Sequence, residues 1–368
     1  MGLELLFKGK EEQLKQIQKD SRNLERISDA IVKSMPDLLN IKPKTKSMIT
    51  GINGFVASHL ARYLLEMNEE VIGTHRWQED SSRINDIRDK IKMVFMDLND
   101  EISILRVLTI NKPEQIFHLA AESFVNYGYE VPLQTIETNG LGTVRLLEAV
   151  RFIKEFIDKD YNPRIHVCSS SEYYGKVDKN EIPINENNPV RPGNQYAVGK
   201  VCADAAAYFY YKYYGLQVIR TRFFTHTGEG RTMQSAEVNF ARQIARIEKG
   251  IQEPIIKHGN LHSLRTWANV KDAVEAYYLL MKNGTPGEVY NIGGIVNKTI
   301  GEMLDYMISL SPLKDKIKKE LDQSLIRKMD VNLQVVDITK IQNTIDWKPT
   351  TSFEQTIQDV LNYQRSLL

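Results

Sequence analysis

Residues 50–60 read Thr50-Gly51-Ile52-Asn53-Gly54-Phe55-Val56-Ala57-Ser58-His59-Leu60. They follow a short apolar run, Ser47-Met48-Ile49-Thr50, and open a helical pattern that continues from Val56 to Glu66. A glycine-rich turn between a strand and a helix is the setting a dinucleotide fingerprint requires. Gly51 permits the tight turn, Gly54 lets the backbone approach a pyrophosphate, and the helix N-terminus adds N–H donors and the positive end of a dipole. Ala57 stands at the third glycine position. Asn53, Phe55 and Val56 belong to the same cradle.

Outward from this turn, short apolar runs alternate with helical patterns, the signature of βα units around a parallel sheet. Further strands are predicted at Glu70–Thr74, Lys92–Met96, Gln115–Leu119, Arg164–Ser169 and Leu216–Thr221, with a long helix at 194–214. The fold class is therefore α/β, a Rossmann-type doubly wound parallel sheet over residues 47–225. After residue 225 the rhythm loosens into segments punctuated by Gly and Pro. Residues 226–368 read as a smaller C-terminal ligand-binding part, intercalated with the sheet domain.

Residues 1–46 differ, with 10 Lys/Arg against 7 Asp/Glu and one aromatic, so they read as an appendage. Leu14, Ile17, Leu24, Ile27, Ile31 and Met35 form one apolar stripe on a helix predicted over 11–35.

At 368 residues the chain has room for two or three folding units of roughly 150 residues and needs no staples. Forty-eight Lys/Arg against 47 Asp/Glu leave a net charge of +1, which offers little counterion-release affinity and argues against nucleic acid as a partner. Cys168 and Cys202 sit in unrelated contexts, so neither a disulfide framework nor a metal site is expected. No window reaches the roughly 18 apolar residues of a membrane span, and no signal-peptide pattern opens the chain. The expectation is a cytoplasmic protein that does not engage a membrane.

Four further stretches carry chemistry. The second strand ends Gly73-Thr74-His75-Arg76-Trp77, where a NAD site would place an acid against the ribose 2′-OH. Arg76 suits a 2′-phosphate, so NADP is the expected cofactor and NAD the alternative; the competing reading of Arg76 is a solvated surface arginine. Asp97-Leu98, after the third strand, can meet the adenine. In Tyr196-Ala197-Val198-Gly199-Lys200 the phenol and ammonium stand one helical turn apart on one face. A neighbouring ammonium favours phenolate, as a general base requires. Val167-Cys168-Ser169-Ser170-Ser171-Glu172-Tyr173-Tyr174-Gly175 places polar residues directly after a buried strand, where open α/β sheets bind ligands.

The glycine turn, His118-Leu119-Ala120-Ala121-Glu122-Ser123, Asn139, the Ser170–Glu172 loop and the Tyr196/Lys200 pair together resemble the extended short-chain dehydrogenase/reductases that modify nucleotide sugars. Within that superfamily the sequence is most similar to the GDP-mannose 4,6-dehydratases. Ser170-Ser171-Glu172 matches their Thr-Ser-Glu, and Tyr196 to Asp204, Gly259-Asn260-Leu261 with Arg265, and Gly287 to Gly294 match further motifs. Two segments depart from the family pattern: Thr225-His226-Thr227-Gly228-Glu229-Gly230-Arg231 and Arg327-Lys328-Met329-Asp330.

The resemblance implies a GDP-mannose or related GDP-sugar substrate, hexose or heptose, and a homodimer or homotetramer. It implies Ser170, Glu172, Tyr196 and Lys200 as catalytic residues, and Leu119, Ala120 and Ala121 as further cofactor contacts. Ser123, Glu172, Thr225, Arg231, Arg265, Arg327 and Asp330 fall on the nucleotide-sugar side. His118 and His226 are expected to pack or hydrogen-bond, not to catalyse. If Glu172 were only a cap or surface carboxylate, the remaining residues would describe a C4 epimerase or C4 dehydrogenase, and a Ser-Glu pair here also occurs in related decarboxylases. A catalytically inactive nucleotide-binding scaffold is the alternative outside enzymology.

Overall fold

The computed structural model describes residues 44–326 and 332–368. The helix expected at 11–35, and Arg327 and Asp330, lie outside the described residues.

The chain from Lys46 runs β1 (Lys46–Thr50), α1 (Phe55–Glu66), β2 (Glu70–His75), β3 (Lys92–Phe95), α2 (Glu101–Asn111), β4 (Gln115–His118), α3 (Val125–Glu130), α4 (Pro132–Ile136) and α5 (Gly142–Phe152). It continues through β5 (Arg164–Ser170), α6 (Gln195–Tyr214), β6 (Gln217–Phe223), β7 (His226–Thr227), α7 (Ala236–Glu248), β8 (Ile255–His258), β9 (Leu264–Asn269), α8 (Val270–Asn283) and β10 (Val289–Ile292). The remainder is β11 (Val296–Thr299), α9 (Ile300–Ser309), β12 (Lys318–Leu321), β13 (Leu333–Gln334), α10 (Thr339–Ile345) and α11 (Phe353–Ser366).

Seven strands form one sheet in the order β10-β6-β5-β4-β1-β2-β3, with every pairing parallel. This is the doubly wound arrangement expected from the sequence. The order reverses between β1 and β4, and ligand crevices form at the carboxyl ends of strands at such a switch point. Sequence periodicity did not reveal β10, a four-residue strand that reaches the sheet from beyond residue 226.

Helices cover both faces because the strands are apolar on both. On one face Ile49, Phe117 and Ile219 pack with Leu60 and Leu64 of α1 and with Tyr277 and Leu280 of α8. On the other, Met48, Ile116, Ile165 and Val218 pack with Leu146 and Leu147 of α5 and Ala203 and Ala207 of α6. Fully burying a Leu or Ile side chain stabilises by about 1.5–3 kcal/mol, which makes these two layers the main determinant of the sheet. A third cluster, including Phe240, Trp267, Met303 and Phe353, closes the C-terminal part. There β11, β9, β13 and β7 form a small second sheet.

The segment between α4 and α5 is π-helical at Glu137–Leu141 and carries Asn139. It crosses α6 so closely that a Cβ on Gly199 would lie 2.7 Å from the Asn139 Cβ, which is why glycine stands between Tyr196 and Lys200.

Candidate active site

The glycine turn is built by two close approaches. Gly51 has φ +69, and a Cβ there would lie 2.9 Å from the Ala120 Cα, so the position excludes side chains on both counts. Gly54 donates from N to the Gly51 carbonyl at 2.9 Å and caps α1 without a side chain, leaving the first N–H groups of the helix to a ligand. Thr50 Oγ1 accepts from the Leu119 and Ala120 N–H groups at 3.0 Å each and pairs with His118 Nδ1 at 2.9 Å, tying β1 to β4. Asn53 is buried, and its Oδ1 has no protein partner. A cradle that a Cβ would fill, a bare helix N-terminus and an orphaned buried acceptor fit a dinucleotide pyrophosphate and ribose. Phe55 and Val56, the first residues of α1, are half-buried beside it. Asp97 and Leu98 follow β3; the Asp97 carboxylate accepts from Asn99 N at 2.9 Å.

Arg76 is exposed at the end of β2, as expected, but it is paired: its Nη2 is 3.6 Å from Glu79 Oε1. Glu79 Oε2 accepts from the Arg76 N–H at 3.2 Å and from Asn53 Nδ2 at 3.3 Å.

The structure brings Ser170, Glu172, Tyr196 and Lys200 together at the ends of β5 and α6. Ser170 terminates β5 with its Oγ accepting from the Glu172 N–H at 3.2 Å, a cap on the turn that carries the Glu172 carboxylate. Asn194 caps α6: its Oδ1 accepts from Ala197 N at 2.8 Å, so its Nδ2 is left to donate to Glu172 Oε2 at 3.1 Å. Gln334 Nε2, from β13, donates to the other oxygen, Oε1, at 3.2 Å. Glu172 is thus held by two amides, in a different setting from a surface cap.

Lys200 is buried, with Nζ donating to the Cys168 carbonyl at 2.7 Å and lying 5.8 Å from the centroid of the Tyr196 ring. Desolvation pushes the Tyr196 phenol up and the Lys200 ammonium down, and a hydrogen bond with Ser170 pulls the phenol back part of the way. Tyr196 keeps some solvent contact as a residue, but its phenol hydroxyl is buried, so desolvation dominates. The groups that lower the phenol are Ser170, through its hydrogen bond, and Arg231, through its charge, so the acidification expected from Lys200 does not set the balance here. Burial pulls His118 and His226 down to about 3, which leaves both neutral near pH 7.

The residues expected on the nucleotide-sugar side are more dispersed. Ser123 is exposed beyond β4, next to Glu122, whose backbone N–H and carbonyl pair with the Asn139 amide at 2.7 and 2.9 Å. Thr225 follows β6, and its carbonyl accepts from Ala268 N at 3.0 Å. Arg231 pairs with buried Glu237 at 3.0 Å, donates to Ser235 Oγ at 2.7 Å and lies 5.9 Å from the Phe55 ring, which places it beside the dinucleotide turn. Arg265 lies on β9, in register with Gln334 of β13.

Asn194 and Gln334 were missed in the sequence. Asn194 carried a signal, a capping residue directly before a long helix. Gln334 carried none.

A parallel sheet with its switch point beside a glycine turn, and a Tyr/Lys pair at the end of β5 near a held carboxylate, define a dinucleotide-binding α/β protein of the Rossmann type. The family description "GDP-mannose 4,6 dehydratase" matches residues 48–360, and the chain belongs to that family. It is 30% identical over 341 residues to GDP-mannose 4,6 dehydratase 2 of Arabidopsis thaliana, covering 90% of each chain. It is 28% identical over 353 residues to the human GDP-mannose 4,6 dehydratase, covering 89% of this chain and 93% of that one. Among solved structures, a UDP-glucose 4-epimerase from Thermotoga maritima matches with a TM-score of 0.76 at 24% identity, covering 87% of this chain and 99% of that one. A dTDP-glucose 4,6-dehydratase from Bacillus anthracis in complex with NAD matches with a TM-score of 0.73 at 24% identity, covering 88% and 97%. The likeness to these two structures is one of fold.

Proposed function

We propose that this protein is a nucleotide-sugar 4,6-dehydratase acting on GDP-mannose or a related GDP-linked hexose or heptose, with NADP or NAD as its redox cofactor. The observation that carries the reading is the Glu172 carboxylate, held by Asn194 and Gln334 beside Ser170 and Tyr196.

Water cannot leave C6 while C4 is an unactivated alcohol; a ketone at C4 acidifies the C5 proton and opens the elimination. Residues 51–56, with Leu119 to Ala121, would hold the dinucleotide, which supplies a hydride acceptor at C4 and a hydride donor at C6. Tyr196 takes the O4 proton, and Ser170 hydrogen-bonds O4 and the phenol. Lys200, fastened to the Cys168 carbonyl, places positive charge beside the phenolate. Glu172 removes the C5 proton and delivers it to the departing C6 hydroxyl, which leaves as water; the proton then added at C5 comes through Glu172 from solvent and is balanced by the O4 proton that Tyr196 releases. The product is a 4-keto-6-deoxy sugar.

Homodimer or homotetramer assembly in the cytoplasm completes the proposal. Tyr213 and Phe156 support the oligomer, exposing 73% and 67% of their surface. No helix among the described residues is long and apolar enough to cross a membrane.

The test is incubation with GDP-, UDP-, dTDP- and CDP-sugars. A 4-keto-6-deoxy product from a GDP-sugar supports the reading. A C4 epimer, or a 4-keto sugar that keeps its C6 hydroxyl, replaces it with an epimerase or dehydrogenase.

A further inference from the structure

We infer that Glu79 sets the dinucleotide preference of this chain by occupying the subsite where the adenosine ribose is read, so that NAD is accepted and the 2′-phosphate of NADP meets a carboxylate beside Arg76. The inference rests on the dehydratase reading only in that both require a dinucleotide in the cradle of residues 51–56.

The end of the second strand and the glycine turn together define this subsite: an acid there accepts from the ribose 2′-OH, and an arginine there pairs with a 2′-phosphate. This chain has both. Glu79 lies four residues beyond the last residue of β2. Its carboxylate is fastened to the strand end through Arg76 N–H at 3.2 Å and to the turn through Asn53 Nδ2 at 3.3 Å. The amide of Asn53 is thereby oriented, with its buried Oδ1 left as a second acceptor for a ribose hydroxyl. Two acceptors suit a diol.

The same geometry opposes a phosphate. The Arg76 guanidinium is 3.6 Å from Glu79 Oε1, so its charge is countered at the place where a 2′-phosphate would use it. A second cation, Arg83, directs Nη1 to the Asn53 carbonyl at 3.4 Å and Nε to the Gly230 carbonyl at 2.9 Å. A phosphate that enters must face the Glu79 carboxylate across short distances, where like charges repel. Arg76 therefore acts on the 2′-phosphate only once Glu79 is neutralised.

The experiment is titration of the full-length protein with NADH and NADPH, without sugar, following the fluorescence of the bound reduced nicotinamide. Wild type, Glu79→Gln, Glu79→Ala, Arg76→Ala and the Glu79→Gln/Arg76→Ala double variant are compared, and circular dichroism checks their folding. Wild type binds NADH at least as tightly as NADPH. Neutralising Glu79, by either substitution, shifts the affinity ratio towards NADPH by roughly tenfold or more, the scale of one hydrogen bond or repulsion involving a charged group. The shift disappears in the double variant. A ratio unchanged within about twofold in folded Glu79→Gln and Glu79→Ala overturns the inference. Failure of wild type to bind either dinucleotide overturns it together with the dehydratase reading. A shifted ratio in a protein that forms no 4-keto sugar leaves the inference standing and removes only the dehydratase.

Discussion

Gln334 Nε2 donates to Glu172 Oε1 at 3.2 Å across 162 residues of chain, joining β13 of the C-terminal part to the loop that ends β5. With Asn194 on the other oxygen, the carboxylate of the proposed C5 base has its plane fixed before substrate arrives. Glu172→Gln keeps the shape but loses the base. In that variant C4 oxidation should survive while elimination stalls, seen as a 340 nm band of reduced cofactor and as loss of solvent deuterium exchange at C5. Gln334→Leu should show the same signature more weakly, because its base is present but loosely held. Formation of 4-keto-6-deoxy sugar at the wild-type rate by Glu172→Gln would exclude the dehydratase assignment.

Tyr196→Phe should lower turnover by about 10²–10⁴ while retaining dinucleotide, the usual cost of removing a positioned acid/base. Because burial raises the Tyr196 phenol above its ordinary value, the phenolate fraction is small at neutral pH and grows as pH rises. The rate of the oxidation step should accordingly climb with pH through neutrality. A flat profile measured by single-turnover absorbance would assign the O4 proton to another group.

Asp204 stands one helical turn beyond Lys200 and is buried with two arginines of β6: Arg220 at 2.8 Å and Arg222 at 3.0 Å. Arg222 also donates to the Tyr174 hydroxyl at 3.0 Å and stacks 3.5 Å from the Tyr173 ring centroid, so the pair braces the loop carrying Glu172. Asp204→Ala strands both cations and should destabilise the fold by about 3–5 kcal/mol in denaturant titration. A loss under about 1 kcal/mol would show that water or a neighbour replaces the carboxylate.

His118 and His166 are buried, and burial lowers both to about 3. Between the ordinary value of 6.5 and about 3 the unfolded chain binds protons that the folded chain does not. Stability therefore falls as pH drops through this window, by up to about 1.4 kcal/mol per pH unit for each histidine. Comparing wild type with His166→Gln isolates one histidine from the carboxylates that titrate alongside it. The variant should show a shallower decline in denaturation midpoint between pH 6 and pH 4, within the window of this principle. Parallel slopes would mean that His166 takes up its proton in the folded state.

The sequence by itself determined the parts of this protein whose partners are close in the chain. Gly51 and Gly54 announce a turn because their chemistry is needed within four residues. Tyr196 and Lys200 share a face because 3.6 residues make a helical turn. The apolar runs at Met48, Ile72, Ile116, Ile165 and Val218 announce strands buried on both faces, hence a parallel sheet. Only the tertiary structure decided which groups meet across the cleft. Gln334 reaches Glu172 because β13 adds to β9 in a register that no local pattern encodes, on a strand of two residues. Arg76 carries the expected charge at the expected place, but its pairing with Glu79 depends on how the loop after β2 folds back onto Asn53. Hydrophobic periodicity reports which face of an element seeks burial. The partner that covers that face, and the polar contacts trapped there, follow from packing the whole chain.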